Sequence, residues 1–398
     1  MHQTVHRDRR GRPVQKITVS HTDCVGFCSV KQVRVFPSGG HLIQVNTPVV
    51  VETRHRDWIR RDIGGVCFEH PQKAYEFLIS HAPSRSLGDC VEITALLTDW
   101  STAQPIREIR RQLYGSSRWA ATTTLPVAKE LPQGLALTME VITYGGGASY
   151  AVNPAWMYDL SHMVLSLIVV QPVGEGDLVH VSGVVSWDHN GNVLHSGDAD
   201  EQVRQILDYT SRMLKENGSS LSDLVRVRTF TSRPQVGQIL QNQLTERIQK
   251  DFLSHHVLST LALTDLDQLV CEVQFLAARG ATRYSSAYGS WVVLGGLKHL
   301  YLGPLRSEFD CEAVSIEQEA DEVVHRLKAA CQGCDLRISN VVSLLAEVAD
   351  QAAGTALTLA LNRITGGEFR AGITANVNHK ITEDSRRRIV VTGTVIGD

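Results

Sequence analysis

Three stretches of this chain carry the same pattern in different residues, and that internal repetition limits the fold more than any other feature. The middle copy is the clearest. "DLVHVSGVVSW" (Asp177 to Trp187) alternates like a strand, and "HNGNV" (His189 to Val193) supplies an Asn-Gly turn. In Gly197 to Gly218, Val203, Ile206, Leu207, Tyr209, Thr210 and Leu214 recur at helical spacing. Asp198 or Asp200 is placed to cap that helix and Gly218 to end it. "SLSDLVRVRTFT" (Ser220 to Thr231) predicts a strand, 235–256 a second helix, and 268–278 a closing strand, with a short strand near 259–263.

The third part repeats this with "KHLYLG" (Lys298 to Gly303), "SIEQEADEVVHRLKAACQG" (Ser315 to Gly333), "RISNVVSLLAEV" (Arg337 to Val348) and "RRRIVVTGTVIG" (Arg386 to Gly397). The first part does so more loosely, with "HLIQVN" (His41 to Asn46), "HPQKAYEFLIS" (His70 to Ser80), "SLGDCVEITALLTD" (Ser86 to Asp99), "IREIRRQLYG" and "LPQGLALTMEVITY". The first helices start near residues 70, 201 and 317. The period is thus about 110–130 residues. The expected fold class is α/β (α+β), with three tandem units at 31–146, 151–280 and 284–398 behind a basic arm, 1–30. Each unit's sheet has helices on one face only. The other face must be buried, and three units facing inward about a pseudo-threefold axis would bury it.

Composition sets the class. Of 398 residues, 43% are hydrophobic and 20% charged, and the net charge of −3 offers no basic field for nucleic acid. The basic "MHQTVHRDRRGRP" reads as a mobile, solvated arm. No apolar run is long enough for a membrane span, and no apolar core follows the basic start as in a signal peptide. Eight scattered cysteines fit free thiols in the cytoplasm. "CQGC" (Cys331, Cys334) falls at the end of a helix, where the dipole does not help a thiolate. Aligned on the middle copy, its Gly333 matches the helix-ending Gly218, as a left-handed cap. No metal and no cofactor is expected.

The pieces "VSG", "GDADEQVRQIL" and "NGSSLSDLVRVRTF" together resemble the RidA/YjgF family. The resemblance is best over 181–278 and extends through shorter pieces over most of 38–398. Family members are homotrimers, similar in fold to a chorismate mutase trimer, that hydrolyse enamines and imines in clefts between subunits. The resemblance implies a covalent pseudotrimer, monomeric or paired as a homodimer, with three clefts that need not be alike. It places a carboxylate-clasping Arg before the penultimate strand. Arg370 matches in copy three, while Leu258 and Thr123 stand there in the others. It places an acid at Glu272, matched by Thr138 in copy one with Glu140 two residues on. Its pocket Ser maps to Ser182, and to Leu302 in copy three. No copy holds the whole set.

Alternation puts Cys271, Val273 and Phe275 on one face of the closing strand and Glu272 on the other. An acid amid apolar residues is costly without a partner, so Glu272 is the candidate general base or cation stabiliser, with a raised pKa. His255 and His256, read at the end of the second helix of copy two, join it as catalytic candidates, with Arg370 as anion anchor. Ser182, Thr260, Glu140, Thr123, His299 and Tyr301 are substrate-binding candidates, the last two on one strand face at i and i+2. The expected function is a cofactor-independent enzyme of specialised metabolism that cyclises or dehydrates a small conjugated keto, enol or enamine compound, carbazole formation included. Alternatives are an imine/enamine deaminase, an enol-ether hydrolase like the chorismatases, and a non-catalytic ligand-binding pseudotrimer.

Overall fold

The computed structural model describes residues 4–7, 13–18, 32–35, 49–55, 58–68, 70–97, 100–114, 119–126, 137–146, 149–233, 235–248, 254–260, 268–309, 313–367, 369, 371–377 and 387–398. The part expected to be a mobile arm instead contributes β1 (Thr4–Arg7) and β2 (Pro13–Thr18), which pair in a three-stranded sheet with β3 (Gln32–Val35). The strand expected over 41–46 lies outside the described residues.

Unit one comprises β4 (Val49–His55), β5 (Trp58–Phe68), α1 (Pro71–His81), β6 (Cys90–Leu97), α2 (Ala103–Tyr114), β7 (Ala121–Pro126) and β8 (Leu137–Gly145). Unit two comprises β9 (Tyr150–Val152), β10 (Ile168–Val173), β11 (Gly176–Val184), α3 (Ala199–Glu216), β12 (Leu224–Thr231), α4 (Gln235–Ile248), β13 (His255–Ser259) and β14 (Cys271–Arg279). Unit three comprises β15 (Arg283–Ser286), β16 (Gly289–Leu294), β17 (Leu297–Arg306), α5 (Ile316–Gln332), β18 (Val341–Val348), α6 (Gln351–Ile364), β19 (Gly372–Val377) and β20 (Ile389–Gly397).

The three sheets share one strand order: β4-β5-β8-β6-β7, β9-β10-β11-β14-β12-β13 and β15-β16-β17-β20-β18-β19. In each, one pair is parallel (β6/β7, β12/β13, β18/β19) and a helix bridges it, as a parallel pairing requires. The irregularities repeat too. The register shifts between Ile63/Val66, Val181/Val184 and Leu302/Leu305, and again between Cys90/Glu92, Leu224/Arg226 and Val341/Ser343. Bulges at matching places mark three copies of one unit.

These registers correct the alignment read from sequence. Val341 takes the place of Leu224, so Asp335 and not Gly333 matches Gly218. The left-handed residues are Gly218 (φ 70°) and Asp335 (φ 56°), while Gly333 stays right-handed at φ −62°. Ser182 matches Gly303, one residue beyond Leu302, and Thr123 matches His256 rather than Leu258. α4 is described to Ile248, and His255 and His256 open strand β13 instead of ending a helix. The cap of α3 is Asp198, whose side chain accepts from Glu201 N at 3.2 Å.

Each unit packs its helices on one face of its sheet around a core of its own. The other faces meet. Val91, Val225 and Val342 occupy one repeated position, Tyr144, Ala278 and Ile396 another, and all six share a single cluster. β7 packs against β11, β13 against β17, and β19 against β5, which closes the ring. Among the described residues no helix is long and apolar enough to cross a membrane.

Candidate active site

Strand β14 sets the site. Cys271, Val273, Phe275 and Ala277 face the helices in the core of unit two. Glu272 therefore points the other way, toward unit one, as alternation requires. Its carboxyl lies over Gly183 in the bulge of β11, where a Cβ would come within 1.6 Å of Glu272 Oε1. No hydrogen-bond or ion-pair partner of Glu272 is found among the described residues.

Glu272 opens into a cavity of about 260 Å³ between units one and two. That is the small end of ligand-sized pockets. One wall is α2 and β7 of unit one, with Ile106, Arg107, Arg110, Thr122 and Thr124. The roof is the connection between β9 and β10 (153–167), which brings Met157, Tyr158, Leu160 and Met163, and Trp187 and Leu269 complete the enclosure. Unit three joins its matching strands, β15 and β16, through Ala287 and Tyr288 alone, so this roof belongs to unit two. Tyr158 meets Trp187 edge to face, with centroids 5.6 Å apart. Ser166 N donates to Ala120 O at 3.1 Å and Arg111 Nη2 to His162 O at 3.1 Å, tying the roof to unit one.

Half-buried at the cavity wall, the Glu272 carboxyl is pushed up to about 8 by burial. It is therefore mostly a neutral acid at pH 7, able to give a proton and to take one back. Arg110 is buried, and its Nε donates to Tyr75 Oη at 2.5 Å and its Nη2 to Thr124 Oγ1 at 3.2 Å.

The remaining candidates lie elsewhere. Glu140 accepts from Arg228 Nη1 at 2.7 Å and Nη2 at 3.3 Å, a buried pair joining units one and two. Beside it Glu92 bonds Arg226 and His180. Burial opposes its charge, yet Arg226, His180 and Arg228 hold its carboxyl well below the usual range. His255 faces α4, with Nε2 2.8 Å from Thr229 Oγ1 and Nδ1 3.1 Å from Gln241 Oε1, so the sheet separates it from the inward face of Glu272. His256 points between units two and three, with Nδ1 2.8 Å from Thr392 Oγ1. Burial holds His255 neutral down to about 4 and, with Arg228 and His255 nearby, His256 down to about 3. His299 and Tyr301 are buried on β17, with His299 Nε2 3.1 Å from Leu294 O. Thr123 and Thr260 are buried, their hydroxyls have no partner among the described residues, and they do not line the cavity. Ser182 is buried next to Gly183. Arg370 lies outside the described residues.

Sequence reading missed Arg107, Arg110, Met157, Tyr158 and Trp187. One signal was legible. In "IREIRRQLY" Arg110 sits on the same helical face as Ile106, Ile109 and Tyr114, which is a place for an apolar residue.

A ring of three sheet-and-helix units with a cavity between the first two defines the class: an α/β protein of three tandem units in one chain. Residues 169–279 match the family described as Endoribonuclease L-PSP, from β10 to the end of β14. The middle of the chain thus matches that family's model, and the chain has a Rid-type fold. It is 31% identical over 74 residues to the 3-aminoacrylate deaminase RutC of Acinetobacter baylyi, a match spanning 18% of this chain and 59% of that relative. A crystal structure of a chorismatase matches 57% of this chain and 77% of its own, at 13% identity and a TM-score of 0.43. A putative endoribonuclease from Thermotoga maritima matches 33% of this chain and 97% of its own, at 22% identity and a TM-score of 0.27.

Proposed function

We propose that the chain is a cofactor-independent enzyme that performs acid–base chemistry on a small conjugated keto, enol or enamine compound in the cavity between units one and two. The fold is that of small-molecule enzymes and binders. The observation that carries the step to catalysis is Glu272: a carboxyl without a partner among the described residues, pushed up to about 8, at the wall of an apolar cavity. A group poised near the working pH transfers protons in both directions at useful rates.

The reaction we favour is ring closure with loss of water. The Glu272 acid protonates a carbonyl oxygen as a nucleophilic carbon of the same substrate attacks its carbon. The Glu272 carboxylate takes one proton from the attacking carbon, the restored acid protonates the resulting hydroxyl so that it leaves as water, and the carboxylate takes the second proton from that ring carbon, restoring the acid. Met157, Leu160, Met163 and Trp187 support this reading, because an apolar enclosure folds a flexible substrate and holds its reacting atoms close. The likeness to an aminoacrylate deaminase favours a second reading, enamine hydrolysis. There Glu272 protonates the enamine carbon, water adds to the iminium, and ammonia leaves.

The test is incubation of the protein and its Glu272→Gln variant with small keto, enol and enamine compounds, followed by mass spectrometry and ammonia assay. Glu272-dependent loss of water supports cyclisation, and Glu272-dependent ammonia release supports hydrolysis. Equal conversion by both proteins would overturn the role of Glu272.

A further inference from the structure

The roof of the cavity, 153–167, is fixed to unit two at both ends. Asn153 Oδ1 accepts from Leu167 N at 2.7 Å, Val152 pairs with Ile168, and Ser182 N donates to Leu167 O at 2.8 Å. Its first half also packs on unit two. Trp156 Nε1 donates to the Glu216 carboxylate at 2.9 Å, the Arg212 guanidinium lies 4.0 Å from the Trp156 ring centre, and Tyr158 meets Trp187. The second half leaves its own unit. Residues 159–163 close on themselves in a short turn, with Ser161 N and Oγ donating to the Asp159 carboxylate at 2.9 and 3.0 Å. Beyond that turn the chain rests on unit one.

Val164 makes that contact. Among the described residues it is the one residue of unit two in the core cluster of unit one, which holds Ile106, Ile109 and Tyr114, and it is 2% exposed. Its backbone is left-handed, at φ 56° and ψ 52°. The other described non-glycine residues with positive φ are Arg85, His195 and Asp335, none of them branched at Cβ. A branched side chain is an outlier at this backbone and persists only where its surroundings over-determine it. Those surroundings are supplied by unit one: its apolar core, Ala120 O, which accepts from Ser166 N, and Arg111, which donates to His162 O. Burial of the Val164 side chain holds the segment down, and the strain of its backbone works against that hold. Opposing terms of similar size give a segment two accessible positions.

We infer that residues 159–166 are a lid over the cavity, hinged on unit two and latched onto unit one by Val164. Leu160, Met163 and Leu165 line the cavity from this segment, so lifting it uncovers the cavity while Tyr158 and Trp187 stay together on unit two. Once Val164 leaves unit one, its backbone relaxes to an ordinary conformation and the strain is released. The matching connections of units one and three, 56–57 and 287–288, are two residues long and cannot move in this way. The lid stands whether or not Glu272 is the reacting acid.

The test is amide hydrogen exchange of the whole chain at neutral pH, resolved to single residues by NMR or by fragmentation mass spectrometry. Ser166 N and Ser182 N are both buried and both bonded to a backbone carbonyl, Ser166 across to unit one and Ser182 within unit two. A lifting lid exposes the first and not the second. Ser166 is therefore expected to exchange at least about a hundredfold faster than Ser182 after correction for intrinsic rates. Val164→Ala, which weakens the latch and keeps most of the strain, is expected to speed Ser166 at least about fivefold and leave Ser182 unchanged. Ala121 and Ser166 are bridge partners, a spacing that a disulfide can span. Oxidation of the Ala121→Cys, Ser166→Cys variant is expected to slow exchange of the amides of 160–165 at least about tenfold, and reduction to restore it. Equal rates at Ser166 and Ser182, or a disulfide that leaves the amides of 160–165 unchanged, overturns the lid. A Val164→Ala variant that leaves Ser166 unchanged, or speeds both serines alike, overturns the latch.

Discussion

A Cβ on Gly183 would lie 1.6 Å from Oε1 of Glu272 and 2.4 Å from its carboxyl carbon, so the carboxyl occupies the room that any other residue at 183 would need. The two residues come from neighbouring strands, β11 and β14, and the bulge of β11 between Val181 and Val184 makes the fit. The acid is thus held by shape, with no hydrogen-bonding partner among the described residues.

Gly183→Ala is expected to move the carboxyl, not to unfold the chain, because the end of a Glu side chain yields easily. Stability should change by less than about 1 kcal/mol, while turnover falls by roughly tenfold to a hundredfold from misplacement of the proton. Thermal denaturation beside kcat measures both. A large loss of stability with turnover retained would contradict the expectation.

Acid should destabilise the fold through its buried histidines. His255 titrates at about 4 in the folded chain, His256 and His299 at about 3, against 6.5 when unfolded. Between those values the unfolded chain binds more protons. Their stability contribution is therefore full above about 6.5 and lost as pH falls toward 3, at about 1.4 kcal/mol per pH unit for each group. Denaturant midpoints across that range in the parent and in His256→Gln should show a shallower slope in the variant. Equal slopes would remove His256 from the account of acid sensitivity.

The Arg228–Glu140 pair joins units one and two inside the ring. Glu140→Gln leaves the guanidinium without its closest carboxylate and is expected to cost about 3–5 kcal/mol in denaturant unfolding. Replacing both, Arg228→Met with Glu140→Leu, should recover much of that cost. A double variant no better than the single one would show that the pair does more than cancel charge.

Cys331 is buried at the end of α5, and burial pushes its thiol up to about 12, with Cys334 adding to it. Iodoacetamide at neutral pH is expected to leave Cys331 unlabelled until the chain is unfolded. Peptide mass spectrometry reads the outcome, and rapid labelling of the folded protein would contradict the structure.

The fold was legible because repetition supplies its own check: "SLGDC" and "SLSDL" open the same strand in two units, and strand alternation told which face Glu272 takes. The placement of His255 and His256 was not legible. An apolar-periodic run from Gln235 does not say where α4 stops, and a short parallel edge strand such as β13 leaves only five residues of pattern. The offset between Gly333 and Asp335 was hidden for a similar reason. Glycine is the residue associated with a left-handed cap, but Asp tolerates that backbone as well. The cavity was least legible, because it is assembled from α2 of one unit and a 15-residue connection in another, and no local pattern joins Arg110 to Met157.

The most direct measurement is the titration of the Glu272 carboxyl itself, followed by NMR in protein labelled with carbon-13 at glutamate carboxyls and assigned by the Glu272→Gln variant. The expected result is an inflection near pH 8 that is missing from the variant. An inflection near the ordinary glutamate value of 4.5 would mean a carboxylate already charged and solvated, and would contradict a neutral acid in this cavity.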